Sequence, residues 1–494
     1  MAAVRTDGRT HRRTGAPAHR GTGTSGHRGT GAQAHQRTGA PGHRNRDRVA
    51  VSLLALVLLA GVAAPGAAQQ TRLASPLPPL RQQADIRAQW IRFRLDSVLP
   101  TLMRKYDVQM WVVSGRENNE DPVYGQLVPG IGASMGRRTI LVFFDRGPDQ
   151  PLERLALGSG GSGLYRSIRD TGLARQMGSF GQDRFTLLRR VVEERNPRTI
   201  AIDVSEGDAY ADGLSAGDLG QLETALGPQF WPRVRHAEGL VIDYFAIRAP
   251  AMMETFLPLQ RLAHDIIATA FSNQVIRPGT TRADDVAWWA RQTLADLGLG
   301  AWFNPYITVQ RRGADGDTLR NPVLLPGDVL HIDFGITGLG LNTDTQHMAY
   351  ILRPGESAPP PGLVAALRNT NRLQDIVLGE MRAGRTGNEA LTSSLAAMRA
   401  AGISGAVYGH PVGDHGHAAG PYVGLFDRQE PIAGRGDVRL LPNTWHSIEL
   451  QATTPVPEWG NQPVVMFEEE DAVIDASGTA RWVHRRQSEL LVIR

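Results

Sequence analysis

Residues 329–352 read VLHIDFGITGLGLNTDTQHMAYIL. Apolar residues alternate with polar ones on both sides of Gly338-Leu339-Gly340, which is the pattern of a β-hairpin. A turn centred between 338 and 339 pairs residues whose numbers sum to 677, and Asp333 with Asp344 is such a pair. The two carboxylates then face each other across the strands, with Cβ atoms ~4.5–5.5 Å apart. Like charges so placed destabilise a hairpin unless a cation or a proton lies between them. Two aspartates that merely flank a turn are the plainer alternative.

Further along, Tyr408-Gly409-His410-Pro411-Val412-Gly413-Asp414-His415-Gly416-His417 packs three His and three Gly into ten residues. A lone His is usually a satisfied or exposed side chain, but three beside glycines are hard to justify by packing. TWHSIELQA (444–452) reads as a strand with Glu449 near its centre, and VVMFEEEDAVI (464–474) sets an acidic run inside a stretch suited to a buried strand. Acidic groups are almost never fully buried unless paired, so such a strand needs a counter-ion; a solvated edge is the alternative. Four carboxylates and an imidazole are ligands for Mn²⁺, Co²⁺, Fe²⁺ or Zn²⁺, and bridging carboxylates suit two ions.

Outward from these motifs, residues 81–107 have a helical period and VQMWVVSG (108–115) reads as a buried strand. RRTILVFFD, LERLALG and RTIAIDVS are further strands, with the helix-like DRFTLLRRVVEERN before the last, giving an α/β domain over 81–245. The Gly-rich stretch 158–163 lacks the Lys-Ser/Thr of a phosphate loop and reads as a surface loop. A boundary falls near Ile247-Arg248-Ala249-Pro250, followed by the helical pattern of 253–275 and a second helix, DDVAWWARQTLADLG, opened by Thr281 and Asp284 as a capping box. The pairs Gly279/Gly384 and Gly300/Gly405 share one spacing within similar helix contexts. That echo suggests a duplicated unit over 250–494 with pseudo-twofold symmetry and a site at its seam.

The chain has 494 residues, 41% of them hydrophobic and 21% charged, which is material for more than one packed domain rather than for a disordered chain. Cys is absent, which excludes disulfides, thiolate metal sites and cysteine nucleophiles. The net charge of +4 is concentrated at the start: residues 1–48 hold ten Arg against Asp7 and Asp47, so the rest is net negative and nucleic-acid binding is not implied. Residues 1–45 carry an octad repeat with His11, His19, His27, His35 and His43 at equal spacing and no apolar face; the reading is a disordered low-complexity tract. Over 46–68, Arg46 and Arg48 precede an apolar run and a small-residue end at Ala68, the layout of a secretory signal peptide. The run is short for a spanning helix, so no permanent membrane anchor is expected and the mature chain is expected to be periplasmic or secreted.

The order Asp333, Asp344 eleven positions on, His410, Glu449 and a late Glu resembles that of the pita-bread metallopeptidases: methionine aminopeptidases, Xaa-Pro aminopeptidases and prolidases. Gly409-His410-Pro-Val-Gly413-Asp-His-Gly-His417 matches the Gly-His-x-x-Gly-x-x-x-His element of the proline-specific members, and the domain before it resembles that of creatinases. The resemblance implies an α/β (α+β) chain, a creatinase-like α/β domain followed by a pseudo-twofold pita-bread catalytic domain. It also implies two divalent ions, Mn²⁺ first with Co²⁺, Zn²⁺ or Fe²⁺ as alternatives. Asp333, Asp344, His410, Glu449 and Glu470 would hold them, with Glu469 the competitor for the last place. His417 would stabilise the tetrahedral intermediate and Glu449 would pass a proton to the leaving amine. The implied activity is hydrolysis of the N-terminal bond of a peptide substrate by metal-activated hydroxide, Xaa-Pro aminopeptidase-like. A prolidase-type dipeptidase, or a member that binds peptides without catalysis, is the alternative, and a homodimer is allowed for. Substrate-contact positions depart from the family: no His lies in Val309–Gly316, and Glu468 stands where an Arg is common.

Overall fold

The computed structural model describes residues 73–130, 135–158, 163–177, 181–314 and 319–494. The octad repeat, the signal-like run and residues 159–162 of the Gly-rich stretch lie outside the described residues. Among the described residues no helix is long and apolar enough to cross a membrane.

Residues 110–236 build a six-stranded mixed sheet. Its strands are β1 (Met110–Gly115), β2 (Thr139–Phe144), β3 (Glu153–Leu157), β4 (Arg166–Ile168), β5 (Ile200–Ile202) and β6 (Val234–His236), in the order β4-β3-β2-β1-β5-β6. Every residue of β1 is buried because the strand serves two cores. Trp111 and Val113 enter one, beside Leu99 and Tyr244; Met110 and Val112 enter the other, beside Leu188 and Val192 of the helix Asp183–Arg195. Period-two alternation thus splits an all-apolar strand between two layers. The helical stretch expected over 81–107 is interrupted by a π-helical turn, Arg94–Val98. That turn holds Arg94 inside, where its guanidinium donates to the Tyr244 carbonyl and pairs with Asp414 at 3.3 Å.

The described residues form one compact unit that also holds a second sheet. Here β7 (Tyr306–Gln310), β8 (Val329–Phe334) and β11 (Thr345–Ile351) mirror β12 (Ser404–Pro411), β13 (Thr444–Val456) and β14 (Gln462–Ile474), in the order β12-β13-β14-β11-β8-β7. The helices Met253–Ala270 and Ala283–Asp296 precede the first three strands, and Pro361–Glu380 and Gly387–Ala400 precede the second three. The internal echo is therefore a repeated helix–helix–three-strand unit, whose halves meet at β11 and β14 through the single registered pair Gln346 and Glu469. Gly279 and Gly384, equivalent in the repeat, both take positive φ (83° and 92°). The helix Ala283–Asp296 starts one residue later than its sequence suggests: the Asp285 carboxylate accepts from the Arg282 backbone N at 2.8 Å, while Thr281 Oγ1 accepts from Arg277 N.

The hairpin forms, with a register two residues away from the expected one. Between β8 and β11 the chain passes through β9 (Thr337–Gly338) and β10 (Leu341–Asn342), and the central turn residues are Leu339 and Gly340, at φ 53° and 76°. A two-residue turn with two positive φ values matches the twist of the strands, and it places the turn one step beyond Gly338-Leu339. Asp333 consequently pairs with Gln346 rather than Asp344. A shift of two preserves the face, so the two aspartates are diagonal neighbours on one side.

Candidate metal centre

Ile332 and Phe334 point into the core under the first helix pair, so Asp333 between them is turned to the other face. In β13, Ile448 and Leu450 pack under the second helix pair and turn Glu449 the same way. Strand register then lines up one row across six strands: Tyr408, Glu449, Glu469, Gln346, Asp333 and Tyr306 stand opposite one another in succession. A second row on that face has His410 opposite Ser447 and Ser447 opposite Asp471. Asp344 adjoins it, its backbone N donating to Asp471 Oδ2 at 3.2 Å.

His410 Nε2 lies 3.5 Å from Asp344 Oδ2 and 3.4 Å from Glu469 Oε1. His410 is fully buried; its Nδ1 meets the Pro411 carbonyl at 3.1 Å while Nε2 has no hydrogen-bond partner, and Asp333 Oδ1 and Asp344 Oδ1 are also buried without one. Side chains around them fix the orientation of Glu469. Ser447 Oγ donates to its Oε1 and Gln346 Nε2 to its Oε2, both at 2.7 Å. Gln346 Oε1 in turn meets His331 Nε2 at 2.8 Å, and burial lowers that imidazole to about 4, which keeps it neutral.

Crowding of acids in a dry cleft sets the electrostatics. Burial, then the Asp344 and Glu469 carboxylates, push Asp333 well above the usual carboxylate range; burial, then Glu469 and Asp471, do the same to Asp344. Glu449 is raised to about 8 by burial, Glu469 and Asp333. Burial would lower His410, but Glu469 and Glu449 override it and raise the imidazole. Unpartnered carboxylate oxygens and an unpartnered imidazole nitrogen, all turned to one place, are a donor set with room for divalent cations. The residues present therefore fit such ions, and Asp344, His410 and Glu469 bring ligand atoms within 4.8 Å of one another.

Of the residues singled out from sequence, Asp333, Asp344, His410 and Glu449 share this face. Glu470 does not. Its neighbour Glu469 occupies the row, and Glu470 points to the helix-covered side, 2.9 Å from His264 Nε2 and 2.8 Å from His347 Nε2. In a run of four acidic residues the period-two pattern carries no sign of which member faces the site. Glu468, on the same side as Glu470, is fully buried, both of its oxygens lack partners, and burial followed by the Glu470 charge raises its pKa well above normal. With Glu469 in the row, the position two before it is Phe467, which packs on His331 with ring centroids 4.6 Å apart.

His417 stands at the lip of the cleft. Its ring is 4.6 Å from that of His410 and 5.1 Å from Trp302, and burial together with His410 lowers it to about 4. His415 turns away, packing on Tyr210 (4.6 Å) and Phe245 (5.6 Å). Sequence reasoning missed Tyr306, Gln346, Ser447, Asp471 and His331. The signal that finds them is the register itself, each lying opposite or two residues from a residue already in the row.

The fold is similar to that of solved structures. An X-Pro aminopeptidase from Thermotoga maritima matches with a TM-score of 0.56 at 17% identity, over 79% of this chain and 99% of that one. The dipeptidase PepE from Mycobacterium ulcerans gives 0.54 at 18%, over 83% and 98%. The N-terminal domain of the FACT complex subunit SPT16 from Cicer arietinum gives 0.54 at 11%, over 82% and 99%. No family model matches the sequence, and no curated protein matches it. The chain has the pita-bread fold, with a creatinase-like α/β part before it.

Proposed function

We propose that this chain is a metallopeptidase that releases the N-terminal residue of peptides, in the manner of Xaa-Pro aminopeptidases, using two divalent ions held by Asp333, Asp344, His410, Glu449 and Glu469. The observation that carries the reading is the convergence of unpartnered buried atoms of Asp333, Asp344 and His410 beside Glu449 and Glu469 on one face. Fold likeness alone extends to a FACT complex subunit as well as to peptidases, so the residues of the cleft decide between them.

Divalent ions there would polarise a peptide carbonyl and lower the pKa of bound water, with Mn²⁺ the first choice for a carboxylate-rich set. The chain's own groups supply the rest. Glu449, opposite Glu469 in the row, would take the proton given up by the attacking water and return it to the leaving amine. His417, neutral and beside His410, can donate a hydrogen bond to the carbonyl oxygen as negative charge develops on it. Arg46, Arg48 and the apolar run ending at Ala68 support export of the mature chain.

A peptide-library digest tests this. Protein refilled with Mn²⁺ should free the first residue of Xaa-Pro-led peptides, and Asp344→Asn should abolish the release together with binding of at least one ion. Release from dipeptides alone would make it a prolidase-type enzyme. No release from any peptide by the fully metallated chain would sink the peptidase reading and leave a binding protein.

A further inference from the structure

The opposite side of β14 carries a second cluster that the proposed reaction does not use. Glu470 is 1% exposed and meets two imidazoles through separate oxygens, His264 Nε2 at 2.9 Å from Oε2 and His347 Nε2 at 2.8 Å from Oε1. His264 comes from the helix Met253–Ala270, His347 from β11 and Glu470 from β14, so three separate elements bring one ligand atom each to within 4.8 Å of the others. The two imidazole rings stand perpendicular, with centroids 4.6 Å apart. Among the described residues no Lys or Arg pairs with Glu470. Burial would raise the Glu470 carboxyl, but the His264 and His347 imidazoles beside it lower it to about 2, leaving an anionic oxygen donor between two nitrogen donors.

One side of the cluster is open. A cavity of about 180 Å³ reaches His264 and His347 and is lined further by Arg485, Gln487 and Ser488. It leaves room for water as a fourth ligand, and the His484 ring stands 5.1 Å from that of His264. Two imidazoles, one carboxylate and an open fourth position form a donor set for a four-coordinate ion of borderline softness. The carboxylate-rich front cluster is harder by comparison.

We propose that His264, His347 and Glu470 form a mononuclear site for a zinc-class divalent ion on the helix-covered side of the sheet, separate from the front cluster. Glu469 and Glu470 thus serve two sites from consecutive positions, because adjacent strand residues point to opposite faces. The ion would tie the helix Met253–Ala270 and the C-terminal stretch around Gln487, whose backbone N donates to Glu470 Oε1 at 3.1 Å, to the seam between the two halves.

Metal counting in a front-site variant tests this independently of the peptidase reading. Full-length Asp344→Asn/His410→Ala protein, stripped with chelator and titrated with Zn²⁺ and with Co²⁺, is expected to bind one ion tightly and to give the strong visible Co²⁺ bands of low coordination number. Adding His347→Ala should weaken that binding by at least about 10²-fold, more than the loss of an outer-shell partner costs. Zinc-edge X-ray absorption on the front-site variant alone should find two imidazoles and oxygen, a readout that does not require the His347→Ala chain to fold. Absence of a tight ion in the front-site variant, or an unchanged ion in a folded His347→Ala chain, would overturn the proposal whether or not the wild type cleaves peptides.

Discussion

His417 and His415 are two residues apart in a glycine-rich loop, and only their surroundings separate their roles. His417 edges against His410 and Trp302 at the cleft, while His415 is set among Tyr210 and Phe245. His417→Ala is expected to keep its metal and lose ~10²–10³ in kcat, about 3–4 kcal/mol, the cost of one oxyanion donor. His415→Ala should leave kcat within a few-fold and lower the Tm, and steady-state kinetics beside thermal melts of both variants will check the pair. At this scale Asp333 and Glu449 were legible because each lies between apolar residues that fix its face, whereas Asp344, between two threonines, and His410, between Gly409 and Pro411, were legible only through the spacing of their motifs. The choice between Glu469 and Glu470 was illegible. Four consecutive acidic residues hide the alternation, and only pairing of Glu469 with Glu449 and Gln346 resolves it.

The loop joining His410 to His417 shows why its glycines are where they are. A Cβ on Gly416 would lie 2.1 Å from the Trp302 ring, and Trp302 is held by its indole N–H donating to the Thr343 carbonyl at 2.9 Å. Gly413 takes φ 135° with the Arg248 guanidinium against it, and Arg248 also grips Asp414 at 2.6 Å. Burial alone would raise the Asp414 carboxyl, but Arg248 and Arg94 hold it below its ordinary value. Gly416→Ala should therefore cost about 1–3 kcal/mol through overpacking, and should reduce kcat because the displaced indole flanks His417. Differential scanning calorimetry and turnover measured on the same sample will show whether both move. In the first sheet, β3 offers a pH-dependent counterpart. Hydrogen bonds from Arg195, partly opposed by burial and supported by Arg166, lower Glu153 from 4.5 to about 2. A depressed carboxyl stabilises the fold above its unfolded pKa and loses that contribution as pH falls from 4.5 toward 2. The Tm gap between wild type and Glu153→Gln should be full at pH 7, shrink below pH 4.5 and close near pH 2.

At the scale of the molecule, the repeat announced by equal glycine spacing proved to be two mirrored halves of one sheet, legible because glycines at positive φ mark the same turn in each. The hairpin register was not, since Leu339, a residue with no intrinsic preference for positive φ, occupies the turn. The site that the two halves enclose stores acids in strained company. Asp333, Asp344 and Asp471 are all raised well above normal and Glu449 to about 8, burial being the largest cause in each. Raised carboxyls stabilise the fold below their unfolded pKa and lose that contribution as pH rises through the folded value. The chelator-treated protein should thus melt at steadily lower temperature from pH 5 to pH 8, and Mn²⁺ should flatten that slope. An equal slope with and without Mn²⁺ would show that the cluster does not take up the ion.

The seam has a further consequence in time. Glu469 meets Gln346 across 123 positions of sequence, the one registered contact between the two central strands. During synthesis, Asp333 and Asp344 leave the ribosome well before β13 and β14 exist, and the row cannot close until nearly the last strand has been made. Long-range pairing of this kind forms late, after each half has gathered its own helices. A chain that stops before β14 therefore lacks Glu469 and cannot complete the row that Gln346 and Asp333 begin.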